Sequence, residues 1–166
     1  MPNTYTLIAS NTVGSGGAAS ITFSSIPSTY TDLAIKVSFR NTADNANWQL
    51  SFNGVTTNLS DIAVGGNGAA ANSYSDATLI YGFICRSTNT ANTFSNSDIY
   101  IPNYAGSTYK SISMDSVTEN NATTAFAYLT AGLWQSTSAI TSVVMTPTSG
   151  NFAQYSTAYL YGIKNS

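Results

Sequence analysis

The chain predicts an all-β fold: a jelly-roll-like antiparallel β-sandwich of about ten short strands, in one domain spanning residues 1–166. Three observations predict it. Leu33, Ile35, Val37 and Phe39 fall on one side of an alternating run, with Ala34, Lys36, Ser38 and Arg40 on the other. That period of two belongs to a strand with one buried face. Clusters of Ser, Gly, Asn and Pro interrupt such runs at regular intervals, at 11–17, 24–28, 64–73, 87–92, 102–107, 120–123 and 147–150, as turns do in a sandwich. No stretch keeps a 3.6-residue period over three turns. The most helix-like piece, 67–72, is short and borders glycine.

Taken in order, the expected strands lie at 5–8, 20–23, 33–40, 48–52, 55–59, 78–85, 98–101, 110–117, 124–134, 139–146 and 157–163. Trp48, Leu50 and Phe52 alternate and run into Asn53-Gly54. Asn-Gly suits a tight hairpin turn because both central residues need positive φ, so 55–59 is expected to pair back on 48–52. In 124–134, Ala125, Ala127, Leu129, Ala131 and Leu133 alternate with Phe126, Tyr128 and Trp134, which reads as a strand buried on both faces. Thr78-Leu79-Ile80-Tyr81-Gly82 and Ala158-Tyr159-Leu160-Tyr161-Gly162 look alike; shared strand chemistry explains the echo more simply than an internal repeat. No linker or break in composition divides the chain.

Charge is scarce. Five Lys and Arg, seven Asp and Glu and no His stand among 166 residues, while Ser, Thr and Asn together exceed a third of the chain. General acid–base catalysis draws most often on His, and nucleic-acid binding needs clustered cations to displace counterions. Neither is provided, so no enzymatic activity and no nucleic-acid partner are expected. Gly14-Ser15-Gly16-Gly17-Ala18-Ala19 has the spacing of a dinucleotide-binding turn, but Ser20-Ile21-Thr22-Phe23 follows it as a strand. The motif requires a helix there, so a hairpin loop is expected instead. The carboxylates Asp32, Asp44, Asp61, Asp76, Asp98, Asp115 and Glu119 are scattered, mostly at strand ends. Asp44, Asn45 and Asn47 could offer oxygens to a cation, yet they fit an Asx-rich turn better. No catalytic residue, metal or cofactor is expected. The single cysteine, Cys85, sits in an apolar run with no cation nearby in sequence to lower its pKa, and reads as a buried thiol. The first residues carry no secretion signal, and no apolar run is long enough for a membrane-spanning helix.

Contact is the remaining mode of action. Tyr30, Tyr74, Phe94, Tyr104, Tyr109 and Tyr155 fall in or beside expected loops, where aromatic rings with polar tips suit interfaces or sugar stacking. They are the candidate contact residues, set against the simpler reading that they close the ends of the sandwich. Proteins commonly guard exposed strand edges with Lys, Pro or cover. With five cations for about ten strands, edges or faces are expected to be covered in the working state by further copies, in a homotrimer, or by a larger lattice.

Three stretches carry a resemblance: Ser20-Ile21-Thr22-Phe23-Ser24-Ser25-Ile26-Pro27-Ser28-Thr29-Tyr30-Thr31-Asp32-Leu33, then Leu50-Ser51-Phe52-Asn53-Gly54, then Ser156-Thr157-Ala158-Tyr159-Leu160-Tyr161-Gly162-Ile163-Lys164. They resemble small virion structural proteins of tailed double-stranded DNA phages, of the kind found in marine phages and cyanophages. The resemblance implies an oligomeric sandwich, made in the host cytoplasm and bound on the virion, with the major capsid protein or other virion proteins as partners. It brings no catalytic residue. The short chain lacks the shaft of a whole tail fibre, which favours a capsid decoration (cement) protein. The alternative is a tail-tip or tail-fibre module recognising host surface glycans.

Overall fold

In the computed structural model, which describes residues 4–121 and 125–164, the chain forms twelve strands and, among the described residues, no helix. They are β1 (Tyr5–Thr12), β2 (Ile21–Phe23), β3 (Asp32–Phe39), β4 (Asn47–Phe52), β5 (Leu59–Gly66), β6 (Ala71–Asp76), β7 (Tyr81–Phe83), β8 (Ser95–Ile101), β9 (Lys110–Val117), β10 (Ala127–Trp134), β11 (Val143–Pro147) and β12 (Thr157–Ile163). The strands pair antiparallel throughout. Eight form one sheet in the order β1-β12-β3-β8-β9-β10-β5-β6, and four form a second in the order β2-β11-β4-β7. The fold is an all-β sandwich.

Alternation decides which side of each strand enters the core. In β9, Ile112, Met114 and Ser116 are buried while Ser111, Ser113, Asp115 and Val117 are exposed. The inner face of the larger sheet meets Ile21, Phe23, Trp48, Leu50, Phe52, Val143 and Met145 of the smaller one in a single core. Aromatic contacts cross between the sheets: Phe39 of β3 meets Trp48 of β4 edge-on at 5.4 Å, and Phe52 of β4 lies 5.4 Å from Trp134 of β10. Such pairs add about 0.5–1.5 kcal/mol each beyond area burial. A smaller cluster of Ala63, Phe83 and Tyr128, with Tyr74 and Phe126 against it, fills the space under β5 and β6. There the Phe83 and Tyr128 rings stack at 4.3 Å.

The echoing pentads lie in different sheets or their approaches, and their glycines do the same job. A Cβ on Gly82 would meet the Trp48 ring at 2.4 Å, and one on Gly162 would meet the Tyr30 ring at 2.3 Å. Each glycine lets an aromatic ring lie directly on the strand.

Several expectations are corrected. The Asn53-Gly54 turn forms with φ of 53° and 70°, but it does not open a hairpin. Only one bridge, Phe52 to Val55, follows it, because β4 already has β11 and β7 on its two sides. Residues 55–58 are therefore not a strand, and the chain crosses to the other sheet, where Leu59 opens β5. Strands β5 and β6 occupy most of the stretch expected to be a loop at 64–73. Of the helix-like 67–72, residues 67–70 are the turn between them, with the Asn67 side chain accepting from the Ala69 and Ala70 amides, and 71–72 open β6. The turn at 14–17 joins β1 and β2, which lie in different sheets, so it is a crossover rather than a hairpin. Strand β10 buries only Tyr128, Thr130, Gly132 and Trp134, with Ala127, Leu129 and Ala131 exposed; it is not buried on both faces. Residue 124 of its expected range lies outside the described residues.

Polar side chains tie the loops to this frame. Arg40 donates to the carbonyls of Ser87, Asn89, Thr90 and Thr93 and so holds the 87–93 loop. The Asn53 carboxamide accepts from the Thr141 and Ser142 amides and donates to the Ala139 carbonyl. Buried Lys110 donates to the carbonyls of Gly106, Thr108 and Ser136. Buried Asp61 on β5 accepts from the Asp76 amide of β6 at 3.1 Å and, across to the smaller sheet, from the Tyr81 amide at 2.8 Å.

Burial holds the Asp61 carboxyl above its ordinary value of 3.8. An acid whose folded pKa exceeds its unfolded one stabilises the fold below the unfolded value and loses that contribution as pH rises through the folded value. Asp61→Asn abolishes this pH dependence. It also turns an amide NH2 toward a backbone N–H, so urea unfolding is expected to show a loss of about 1–3 kcal/mol. An unchanged midpoint, or an unchanged pH profile, would contradict this account of Asp61.

Candidate contact surface

The six candidate aromatics do not gather on one surface. Tyr104 is buried, and its hydroxyl donates to the Pro27 carbonyl; its ring is core, which removes it as a contact residue. Tyr30 is half-buried against Gly162. Tyr74 is half-buried in the smaller aromatic cluster, where burial pushes its hydroxyl up to about 12. Phe94 is half-buried beside the start of β8. Tyr109 and Tyr155 stand out at 58% and 67% exposure. They sit at opposite ends of the larger sheet: Tyr109 precedes β9 and Tyr155 precedes β12, antiparallel strands entering from those two ends. Tyr155 also adopts φ of 70°, in the left-handed region that a bulky residue avoids unless its surroundings impose it. The Tyr155 amide donates to the Val13 carbonyl and anchors it there.

The residues considered for chemistry are engaged in structure. The Asn45 side chain accepts from the Asn47 amide and the Thr148 hydroxyl, and Asp44 accepts from the Thr88 hydroxyl. This is a turn network. Among the described residues, no three His, Cys, Asp or Glu side chains converge. Cys85 is buried, and burial pushes its thiol up, away from the thiolate a nucleophile needs.

The surface that the sequence reading did not single out is the outer face of the eight-stranded sheet. Ile62 and Val64 on β5 are 63% and 55% exposed, and Leu129 on β10 is 59% exposed. Leu129 lies directly opposite Val64, and Ala131 opposite Ile62. Across the sheet, Tyr5 and Leu7 on β1, Tyr100 on β8 and Tyr159 on β12 are exposed on the same face. Between the two apolar regions lies a row of charge. Lys36 pairs with Asp98 at 2.6 Å, and the Asp98 amide donates to the Asp115 carboxylate at 2.8 Å. A shallow groove of about 400 Å³ runs there, lined by Tyr5, Lys36, Asp98, Tyr100, Asp115 and Leu129. Isolated exposed apolar residues are ordinary, but contiguous ones mark interaction sites. The signal was present in the sequence: a strand apolar on both faces needs cover on both.

Tyr104→Phe is expected to cost about 1 kcal/mol, because it strips a partner from the Pro27 carbonyl. Tyr109→Ser and Tyr155→Ser should each stay within about 0.5 kcal/mol of the parent in the same urea titration. The opposite ranking would reverse the assignment of core and surface among these tyrosines.

No protein-family model matches the chain, and no curated protein and no solved structure matches it.

Proposed function

We propose that the protein is a virion structural component of a tailed double-stranded DNA phage, a capsid decoration protein that stabilises the assembled head by bridging major capsid proteins. The observation that carries a contact role is the uncovered apolar outer face of the eight-stranded sheet, in a chain with few charges to keep such a face in solution. The virion assignment is supported by the three phage-like stretches. These residues work together: Tyr30 lies on Gly162, and Asp32 pairs with Ile163. The amides of Ile26 and Asn53 donate to the carbonyls of Thr141 and Ser142.

The mechanism is burial without chemistry. A protein that binds the assembled shell and not its separated subunits stabilises the shell by mass action. Tyr109 and Tyr155 project from opposite ends and serve as aromatic anchors, amid Ser, Thr and Asn that supply neutral hydrogen bonds.

Copy number in the parent particle tests the reading. Hundreds of copies, resolved on the capsid by cryo-electron microscopy, are expected. A few tens of copies at the tail would replace it with the glycan-binding tail module, and absence from the particle would overturn both. Retention on the head should be insensitive to salt up to about 1 M, where the Debye length falls to roughly 3 Å, because few charges are available to be screened. Release by moderate salt alone would contradict the neutral interface.

A further inference from the structure

The outer face of the eight-stranded sheet has an order that its exposure alone does not reveal. One row across it reads Ser10, Tyr159, Lys36, Asp98, Asp115, Leu129, Val64. The next reads Leu7, Tyr161, Ala34, Tyr100, Ser113, Ala131, Ile62. The first row carries Tyr159 on β12 beside Ser10 on β1, and the second carries Leu7 and Tyr161. Both have an aliphatic end at β10 and β5, with β8 midway along the seven strands.

We infer that this face pairs with the same face of a second copy of the chain, about a two-fold axis running along β8. Two faces related by a two-fold must have the axis in their common plane. An axis parallel to the strands lays each row on itself in reverse. With the axis on β8, strand β9 meets β3 of the second copy, β10 meets β12, and β5 meets β1. Lys36 then faces Asp115 of the second copy, twice over. Leu129 faces Tyr159, Ala131 faces Tyr161, and Ile62 faces Leu7. Val64 faces Ser10, Tyr100 meets its own counterpart at the axis, and Lys36, which pairs with Asp98 in its own copy, meets a second carboxylate across the contact. Asp98 meets its own counterpart at the axis, each already held by Lys36 at 2.6 Å. Moving the axis to lie between β8 and β9 would set Lys36 on Leu129 and Asp98 on Asp115, with no cation facing a carboxylate. Moving it between β3 and β8 would leave Ile62 and Val64 of β5 facing no strand. The axis on β8 both sets Lys36 on a carboxylate and covers β5.

The area is sufficient. Seven strands overlap in this arrangement, and at roughly 4.8 Å between strands and 3.4 Å per residue they span roughly 800 Å² per copy. That is the size of a standard stable interface, about 800 Å² a side. Aligned packing of two sheets about 10 Å apart is an ordinary geometry for twisted sheets. The contact closes at two copies, because it consumes the face of both. The homotrimer expected from the sequence would need a contact between two unlike surfaces instead. The pairing deepens the proposed contact role and rests on it only in taking the face to be covered in the working state.

Sedimentation equilibrium of the full chain tests it. The parent protein is expected to be dimeric at micromolar concentrations. Lys36→Glu and Asp115→Lys each place like charges at both cross-axis contacts and should weaken the dimer about tenfold or more. An equimolar mixture of these two variants should dimerise again, because opposite charges then meet at both contacts. Leu129→Asp, or Ile62→Lys on the neighbouring strand, should weaken the dimer with no rescue by mixing. All four positions are exposed, and circular dichroism on each variant verifies the fold. A monomeric or trimeric parent, a dimer indifferent to Leu129→Asp and Ile62→Lys, or a charge-variant mixture that stays monomeric would overturn the pairing. A dimer absent from any virion would overturn the virion reading and leave the pairing standing.

Discussion

Eight strands lie over four, and that mismatch in width governs the rest of the molecule. The smaller sheet covers the middle of the larger one through the Phe39–Trp48 and Phe52–Trp134 contacts. Toward β5 and β6 the cover is the aromatic cluster of Phe83, Tyr128, Tyr74 and Phe126. Polar side chains reach out of the frame to hold neighbouring loops, Arg40, Asn53 and Lys110 among them, and Asp61 ties β5 to β6 and β7. Among the described residues, the outer face of the wide sheet has no such cover. A two-layer sandwich leaves the outer face of each sheet open, and here one of those faces is eight strands wide.

The same constraint explains where the few charges go. Lys110 is buried on loop carbonyls and Arg40 is spent on the 87–93 loop. Arg86 lies over the Phe126 ring at 5.7 Å and 3.7 Å from Asp44. Three of the four edge strands, β1, β2 and β7, are blunted by shape. β2 and β7 are three residues each, and β1 shifts register between Leu7 and Ala9. Short edges and bulges discourage edge-to-edge pairing without charge. Edge protection and face exposure are therefore separate matters here: β1, β2 and β7 are dealt with locally and the broad face is not.

Where the residue pattern was strictly alternating, the sequence located strands closely. The expected 110–117 and 157–163 coincide with β9 and β12, and 33–40 differs from β3 by one residue at each end. Where small residues dominate, it did not. Gly65, Gly66 and Ala71 look like loop, yet they belong to β5 and β6, because pairing with β10 supplies the hydrogen bonds that propensity does not. The candidate surface was legible only in part. Tyr109 and Tyr155 were picked out as loop aromatics, and both are exposed. Tyr104 looked the same in sequence and is core, because the carbonyl it meets belongs to Pro27, far away along the chain.

The sequence by itself determined the class of the fold, the places where strands alternate, the Asn53-Gly54 turn and the shortage of charge. These follow from local rules: side-chain period, φ preference and composition. Only the tertiary structure decided which strand lies beside which, and so which of two apolar faces is core. Leu129, Ala131, Ile62 and Val64 are no less apolar than many buried residues. They are outside because the one available second sheet lies on the other side. Strand pairing is a long-range choice made by hydrogen bonds and cover. A period of two states that a strand has two faces, and leaves to the rest of the chain which of them meets water.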